Sequence, residues 1–375
     1  MNLKGVSLFA NIGVAEAYFK EIGINICIAN ELIKRRAKLY SEIYQETEVV
    51  VGDFTDVEIF NKIKSKAIKE EVDFIMATPP CQGMSTAGRQ DKNDKRNDLI
   101  IPTIKFIKEL NTKYVLIENV PQFLKTTVIY KNNEINILEL INKELGSYYT
   151  INSSIIDTKD YKVPQSRKRA IITMTRNDIK KEWKLPKKQG SLVTLENTIG
   201  NIPTIDPFIK DVTEKELLQI FPNFYNRKEK ALKISKWNIP PIHIKRQVIA
   251  MMHTPTGKSA FENEVYKPKK ENGDLIKGYK NTYKRQNWDT PAYAVTMDNR
   301  KISSQDNVHP GRQIKNSKGL IYSDPRTLTL YELMKVMSLP DDWPIPENTS
   351  EAFIRRVIGE GIPPLFIKQL FQEII

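Results

Sequence analysis

Cysteine is nearly absent: Cys27 and Cys81 are the only two among 375 residues. Two thiols build neither a disulfide framework nor a four-thiolate zinc site. Secreted disulfide scaffolds and zinc-finger readers are thereby excluded, and a cytoplasmic location is expected. Long apolar runs are missing as well. No stretch approaches the ~18 uninterrupted apolar residues of a membrane-spanning helix, so no membrane partner is expected. The opening MNLKGVSLFANIGVAEAYF lacks the apolar core and small-residue cleavage site of a secretion signal and reads as folded structure. Neither an internal repeat nor a low-complexity tract occurs. What remains is ordinary globular composition, 40% hydrophobic and 27% charged, which argues against wholesale disorder. The length suffices for one large domain or two modest ones.

The net charge of +13 is unevenly placed. Residues 181–320 carry 26 Lys and Arg against 14 Asp and Glu, whereas the other 235 residues carry 32 against 31. A basic segment on a neutral body suits a polyanion-binding module, because neutralised phosphates release their counterions. A lysine-rich solvated surface would give the same count.

Residues 1–175 alternate two textures. VSLFA, INICIA, VDFIMA, YVLIENV and AIITMT are short, rich in Val and Ile, and read as buried strands. Between them VAEAYFKEIG, VEIFNKIKSKAIKEE, LIIPTIKFIKEL and NILELINKELG have helical apolar spacing. Gly23 and Gly146 suit the left-handed residue past a helix end. This alternation predicts an α/β fold, a parallel, doubly wound sheet with ligands at the carboxyl ends of the strands. Beyond Trp183, prolines punctuate the chain, helical periodicity fades, and aromatics interleave with lysines in FPNFYNRKEKALKISKW and GYKNTYKRQNW. Helical spacing returns in PRTLTLYELMKVMSLPDDW and again in IPPLFIKQLFQEII. A second, smaller and irregular unit over 186–349 is expected, with 1–185 and 350–375 forming the main body.

Three local signals carry chemistry. In MATPPCQGMS, residues 76–85, an apolar strand runs into two prolines and then Cys81. Free cysteines are usually small buried hydrophobes, yet PPCQG is an unsuitable sequence for a packed core position. A thiol there is a candidate nucleophile if its pKa is lowered or bypassed. VLIENV sets Glu118 and Asn119 at the end of another apolar strand, where a carboxylate caps the next turn or serves as a site acid. In QSRKRA, Arg167 and Arg169 alternate and would share one face of a strand. A surface arginine ladder is the competing reading.

PPCQ, then ENV, then QxRxR, in this order on a doubly wound sheet, closely resemble the DNA cytosine-5 methyltransferase family. The resemblance spans almost the whole chain. SLFANIGVAEA is similar to the family's Phe-x-Gly-x-Gly cofactor loop, and the acidic residues of ANEL and VGDF follow it. RTLTLYELMKVMSLPDDW and IGEGIPPLFIKQL are similar to its last two motif blocks. The resemblance implies a Rossmann-like fold with a doubly wound mixed sheet that binds S-adenosyl-L-methionine and needs no metal. Phe9, Asn11 and the turn around Gly13 would hold that cofactor, with Glu31 on the ribose hydroxyls and Asp53 on the adenine amine. Leu32 and Phe54 would flank the adenine, Leu99 would close the pocket, and Pro80 would be a further contact. Cys81 would be the nucleophile. Glu118 would meet N3 and the exocyclic amine of a flipped cytosine and Arg169 its O2, with Arg167 supporting the same pocket. The residue types suit the reaction, since thiolate attack at C6 makes C5 electron-rich while an acid and a cation stabilise the ring. Such chemistry requires a base outside the duplex stack.

Three residues depart from the family pattern: Asn11 and Val14 stand where glycine is usual, and Glu360 follows Gly359 where asparagine is usual. Asn tolerates a left-handed backbone, Val14 fits if it opens the following helix, and Glu360 either bears on cofactor affinity or faces solvent. The implied activity is cytosine-5 methylation of a specific site in double-stranded DNA. A bacterial restriction-modification setting would follow, with a cognate restriction endonuclease as a functional partner and the protein acting as a monomer. The basic unit 186–349 would bind DNA, with Lys284 and Arg285 as candidate contacts. Two other readings are an RNA cytosine-5 methyltransferase and a catalytically silent DNA-binding regulator. The long basic segment argues against the first, and the complete set of catalytic residue types against the second.

Overall fold

Seven strands join in one mixed sheet in the computed structural model, which describes residues 3–80, 95–278, 280–302, 306–316 and 319–375. They are β1 (Leu3–Leu8), β2 (Ile24–Glu31), β3 (Glu48–Val51), β4 (Phe74–Ala77) and β5 (Tyr114–Asn119), then, beyond a small separate hairpin of β6 (Thr127–Tyr130) and β7 (Asn133–Asn136), β8 (Tyr149–Asp157) and β9 (Lys168–Arg176). Their order is β3-β2-β1-β4-β5-β9-β8. The first five run parallel, but β9 is antiparallel to both β5 and β8, so the all-parallel sheet expected from the alternation fails at AIITMT, which no crossover helix joins to its neighbour β8. The chain winds outward from β1 to β3 and then returns to β4 on the other side of β1. That reversal opens a crevice at the carboxyl ends of β1 and β4.

The helices flanking the sheet are α1 (Lys34–Ile43), α2 (Val57–Lys69), α3 (Ile100–Leu110) and α4 (Ile137–Leu145). Asp56 and Asn136 cap α2 and α4 by accepting from backbone N–H groups of the first turn. The expected helix over residues 14–23 is instead two 3-10 turns, Val14–Glu16 and Lys20–Ile22. Ala17 N–H reaches Val14 O and Phe19 N–H reaches Glu16 O, so three-residue bonds replace the α-helical ladder. Gly23 is left-handed at φ 71°, but Gly146 has φ −62°, because its N–H still closes a helical bond to Asn142 O. Strands β3 and β8 and helix α1 lie where no element was expected.

Period-two alternation divides the core into two layers. Ile75, Ala77, Val115 and Ile117 pack on one face with Phe60 and Ile63 of α2, Phe106 of α3 and Leu140 of α4. Phe74, Met76 and Leu116 face the other way, against Phe19, Trp183 and the last helix, introduced below.

After Trp183 come four short helices, α5 (Leu195–Ile199), α6 (Glu214–Ile220), α7 (Phe224–Ile234) and α8 (Lys245–His253), so this stretch is more helical than its sequence suggests. An antiparallel hairpin follows, Gln313–Asn316 with Gly319–Tyr322. The chain ends in α9 (Leu330–Val336), α10 (Glu351–Glu360) and α11 (Pro364–Gln372), with Phe366, Leu370 and Phe371 of α11 closing the second face. A third cluster joins Ile12, Val14 and Leu39 to Val295, Leu333, Trp343 and Val357. The late chain therefore packs directly on the loop after β1. Among the described residues no helix is long and apolar enough to cross a membrane.

Candidate active site

Three residues of the loop after β1 have left-handed backbone: Phe9 (φ 59°), Asn11 (φ 52°) and Gly13 (φ 75°). Asn11 tolerates this conformation, as expected of asparagine. Gly13 is required, since a Cβ there would lie 2.2 Å from the Tyr44 ring. Tyr44 donates its hydroxyl to Gly13 O and accepts from Trp343 Nε1 at 3.2 Å. Val14 opens the 3-10 turn, buried against Gly361.

At the end of β2, buried Glu31 accepts from Asn11 N at 2.9 Å through one oxygen and from Ile33 N at 2.8 Å through the other. Burial pushes its pKa up, against the pull of these N–H groups and of Arg36. Asn11 donates its side-chain amide to Val357 O of α10 at 3.2 Å. Its buried Oδ1 has no hydrogen-bond partner among the described residues. The remaining expected cofactor contacts differ in accessibility. Leu32 is 61% exposed, while Phe54 is buried, edge-on against Phe9 and Phe106 and tilted against Phe60. Asp53 is exposed, and its Oδ1 takes the N–H and hydroxyl of Thr55. Leu99 is half-buried where a short turn enters α3, its carbonyl accepting from Thr103.

The ends of β1, β4 and β5 are laced together. Thr78 donates its N–H to Leu8 O and its hydroxyl to Phe9 O, and Asn119 donates its amide to Pro79 O at 2.9 Å. These bonds fix the loop through half-buried Pro80. Cys81 lies outside the described residues.

Glu118 and Arg169 meet at the carboxyl end of β5. Glu118 pairs with Ile171 across β9, which sets Arg169 diagonally beside it. Arg169 Nε lies 2.7 Å from Glu118 Oε1, with the two side chains 13% and 11% exposed. Burial raises the Glu118 pKa, opposed by the charges of Arg169 and then Arg167. Arg167 acts elsewhere with its hydrogens: it donates to Val295 O at 2.6 Å and Gly359 O at 2.9 Å. Gln165 accepts from Val295 N at 2.9 Å beside it. The QSR segment therefore ties the sheet to the late chain and to α10.

Sequence reasoning missed Glu16. It is buried, accepts the hydroxyls of Ser7 and Tyr40, and has its pKa pushed up to about 7 by burial. A charged residue inside the apolar run SLFANIGVAEAYF was the available signal. The expectation that Arg285 contacts DNA is overturned. It is fully buried, donating to Met251 O, His309 O and Asp324 O, so it holds loops together and cannot reach a phosphate. Lys284 is engaged as well, with Tyr293 Oη at 2.9 Å and Asp306 at 3.7 Å. Among the described residues no group of His, Cys, Asp and Glu is placed to hold a metal ion.

The chain matches the C-5 cytosine-specific DNA methylase family over residues 3–375. It is 44% identical over 378 residues to Type II methyltransferase M1.HgaI of Avibacterium volantium, covering 100% of this chain and 98% of that one. Among solved structures it is similar to a putative DNA modification methyltransferase from an E. coli prophage, with TM-score 0.65, 17% identity and coverage of 99% and 98%. It is also similar to a DNMT2 mutant of Spodoptera frugiperda, with TM-score 0.59, 18% identity and 99% of each chain covered. At these identities the solved structures speak to the fold alone.

Proposed function

The chain belongs to the C-5 cytosine-specific DNA methylase family, and we propose that it methylates C5 of a flipped-out cytosine in a specific duplex DNA site through a covalent Cys81–C6 adduct. The observation that carries this reading is the buried Glu118–Arg169 pair at the end of β5, one residue before Asn119 fastens the Pro79–Pro80 loop that leads into Cys81.

S-adenosyl-L-methionine fits the residues around the β1 loop. Glu31 offers a fixed carboxylate, and Asn11 Oδ1 is a buried acceptor awaiting a donor. Hydroxyls and an ammonium are donors of the kind both atoms require. Glu31 and Asn11 would hold the polar groups, with Phe9, Gly13, Leu32, Asp53, Phe54, Pro80 and Leu99 around them. When bound, the cofactor supplies the methyl group that C5 takes up.

The chain's own residues do the rest. The Cys81 thiolate forms a bond to C6 and pushes an electron pair toward C5 and N3. A protonated Glu118 carboxyl donates to N3, and burial moves its pKa in the direction this requires. Arg169 supplies positive charge for O2. Loss of the C5 proton then returns an electron pair, the C6–S bond breaks, and the ring regains its aromaticity. Arg167 acts as a strut to Val295 and Gly359. We assign 1–185 and 350–375 to catalysis and the basic unit 186–349 to DNA recognition, where phosphate contacts position the duplex. The setting we propose is cytoplasmic, a monomer protecting DNA beside a cognate type II endonuclease.

Fluorine at C5 tests the adduct, because it cannot depart as a cation. A duplex carrying 5-fluorocytosine at the target should trap the protein in a complex that survives denaturing electrophoresis. Cys81→Ser should lose that band while retaining duplex binding. A Cys81→Ser protein that still crosslinks refutes the assignment.

A further inference from the structure

The loop after β1 holds three left-handed residues within five positions, Phe9, Asn11 and Gly13. Such backbone persists only where its surroundings over-determine it. The sheet fixes the first half. Thr78 donates its hydroxyl to Phe9 O, Ala10 N–H reaches Asn30 O of β2 at 2.9 Å, and Asn11 N–H reaches Glu31. The second half is fixed from elsewhere. Gly13 closes a turn, its N–H 2.9 Å from Ala10 O, and its carbonyl accepts Glu16 N–H at 3.2 Å and the Tyr44 hydroxyl. Two rings form a floor beneath this glycine: a Cβ on Gly13 would lie 2.2 Å from Tyr44 and 2.9 Å from Tyr40. The two rings pack on each other with centroids 4.8 Å apart, and Tyr40 donates to buried Glu16.

Tyr44 is the residue just past α1, and its hydroxyl is used twice. It donates to Gly13 O and accepts Trp343 Nε1 at 3.2 Å, from the segment between α9 and α10 and 299 positions away. A hydroxyl that accepts a hydrogen bond is polarised into a stronger donor. Trp343 is buried in the cluster that contains Ile12 and Val14, the residues on either side of Gly13. The indole is therefore held by packing of its own and can hold Tyr44 in turn. Asn11, in the same four-residue turn, carries the buried Oδ1 that has no partner among the described residues. Fixing the Gly13 carbonyl fixes the far end of the turn that presents this acceptor.

We propose that Tyr44 is a positioning residue of the cofactor site: its hydroxyl, oriented by the Trp343 indole, holds the Gly13 carbonyl and so sets the turn that presents Asn11 to S-adenosyl-L-methionine. The proposal rests on the cofactor site argued above. Tyr44 and Trp343 both act through Gly13 and need no contact with the ligand.

The test is calorimetric titration of the full-length protein with S-adenosylhomocysteine, arranged as a double-mutant cycle. Tyr44→Phe keeps the ring against Tyr40 and Gly13 and removes only the hydroxyl, and should raise Kd about three- to tenfold. Trp343→Phe removes the indole donor and should raise Kd about two- to fourfold. The double variant should bind no more weakly than Tyr44→Phe, because a phenyl ring at position 44 leaves the indole nothing to orient. Two side chains with separate structural roles would instead give losses of affinity that multiply, or a lower melting temperature of the free protein with Kd unchanged. Either result overturns the proposal while the cofactor site stands. Should the wild type bind no S-adenosylhomocysteine, or Glu31→Ala bind it unchanged, the site itself fails and the proposal with it. If one single variant does not fold, the other decides alone: a raised Kd supports the proposal, and a wild-type Kd overturns it.

Discussion

Replacing Arg169 by methionine removes the guanidinium whose Nε lies 2.7 Å from Glu118 and leaves a buried carboxylate unpaired. Breaking one side of a buried ion pair costs about 3–5 kcal/mol. Both side chains keep slight exposure, 13% and 11%, so the lower end, about 3 kcal/mol, applies here. Glu118 has an escape, which is to take up a proton. A carboxyl whose folded pKa lies above its unfolded value binds more protons folded than unfolded. Its contribution to stability therefore falls as pH rises through the interval from the unfolded value, about 4.3, to the raised folded value. Glu118 is already raised by burial, and loss of the opposing Arg169 charge widens that interval upward.

The deficit of Arg169→Met should accordingly be small near pH ~5 and approach its full value near pH ~8, each pH unit within the interval being worth about 1.4 kcal/mol. Urea unfolding at both pH values reads the difference from the transition midpoint, provided the slope is unchanged. The double variant Glu118→Gln/Arg169→Met removes both charges of the pair and leaves the neighbouring Arg167 without an unpaired carboxylate to act on. It should recover most of the loss at the higher pH and lose the pH dependence. An Arg169→Met deficit equal at both pH values, or a double variant as unstable as the single one at the higher pH, would refute this account of the pair.

Gly13→Ala should be strained twice over, by its φ of 75° and by a Cβ 2.2 Å from the Tyr44 ring. A loss of about 1–3 kcal/mol in stability is expected, together with weaker S-adenosylhomocysteine binding on calorimetry, and a variant as stable as the wild type would contradict the packing. Arg285→Met should destabilise by about 3 kcal/mol or more, because Met251 O, His309 O and Asp324 O lose a charged donor in the interior. Thermal unfolding checks this, and a normal melting temperature with weakened DNA binding would restore Arg285 as a surface contact.

The five strands read from sequence share one property: most of their residues are buried on both faces, so an apolar run suffices to mark them. The missed elements lack that mark. β3 is the four-residue edge EVVV, and β8 is the opposite edge, YTINSSIID, whose polar residues are only partly covered. Helix α1, KRRAKLYSEI, buries Ala37, Leu39, Tyr40 and Ile43 beneath a surface dominated by charge. The motif residues were legible because their types announce chemistry. Their partners were not, since Arg36 and Glu360 stand 324 positions apart, and Arg167 and Gly359 stand 192 apart. Arg285 misled because TYKRQNW has the charge and aromatic content of a nucleic-acid contact. Composition carries no information on whether a guanidinium points outward or into a cage of carbonyls.

The GEG of residues 359–361 shows how one block of sequence divides physically. A Cβ on Gly359 would lie 2.2 Å from Thr296 O, so this glycine admits the backbone of the late chain, while its own carbonyl takes Arg167. A Cβ on Gly361 would lie 2.9 Å from Val14 Cβ, so this glycine makes room for the valine that replaces a glycine in the β1 loop. Between them Glu360 turns to Arg36 of α1. Three consecutive residues thus serve three neighbours: the proposed recognition unit, the loop after β1 and the first turn of α1. The departures at Val14 and Glu360 are therefore matched pairs with Gly361 and Arg36, and neither residue of a pair can be assessed without the other.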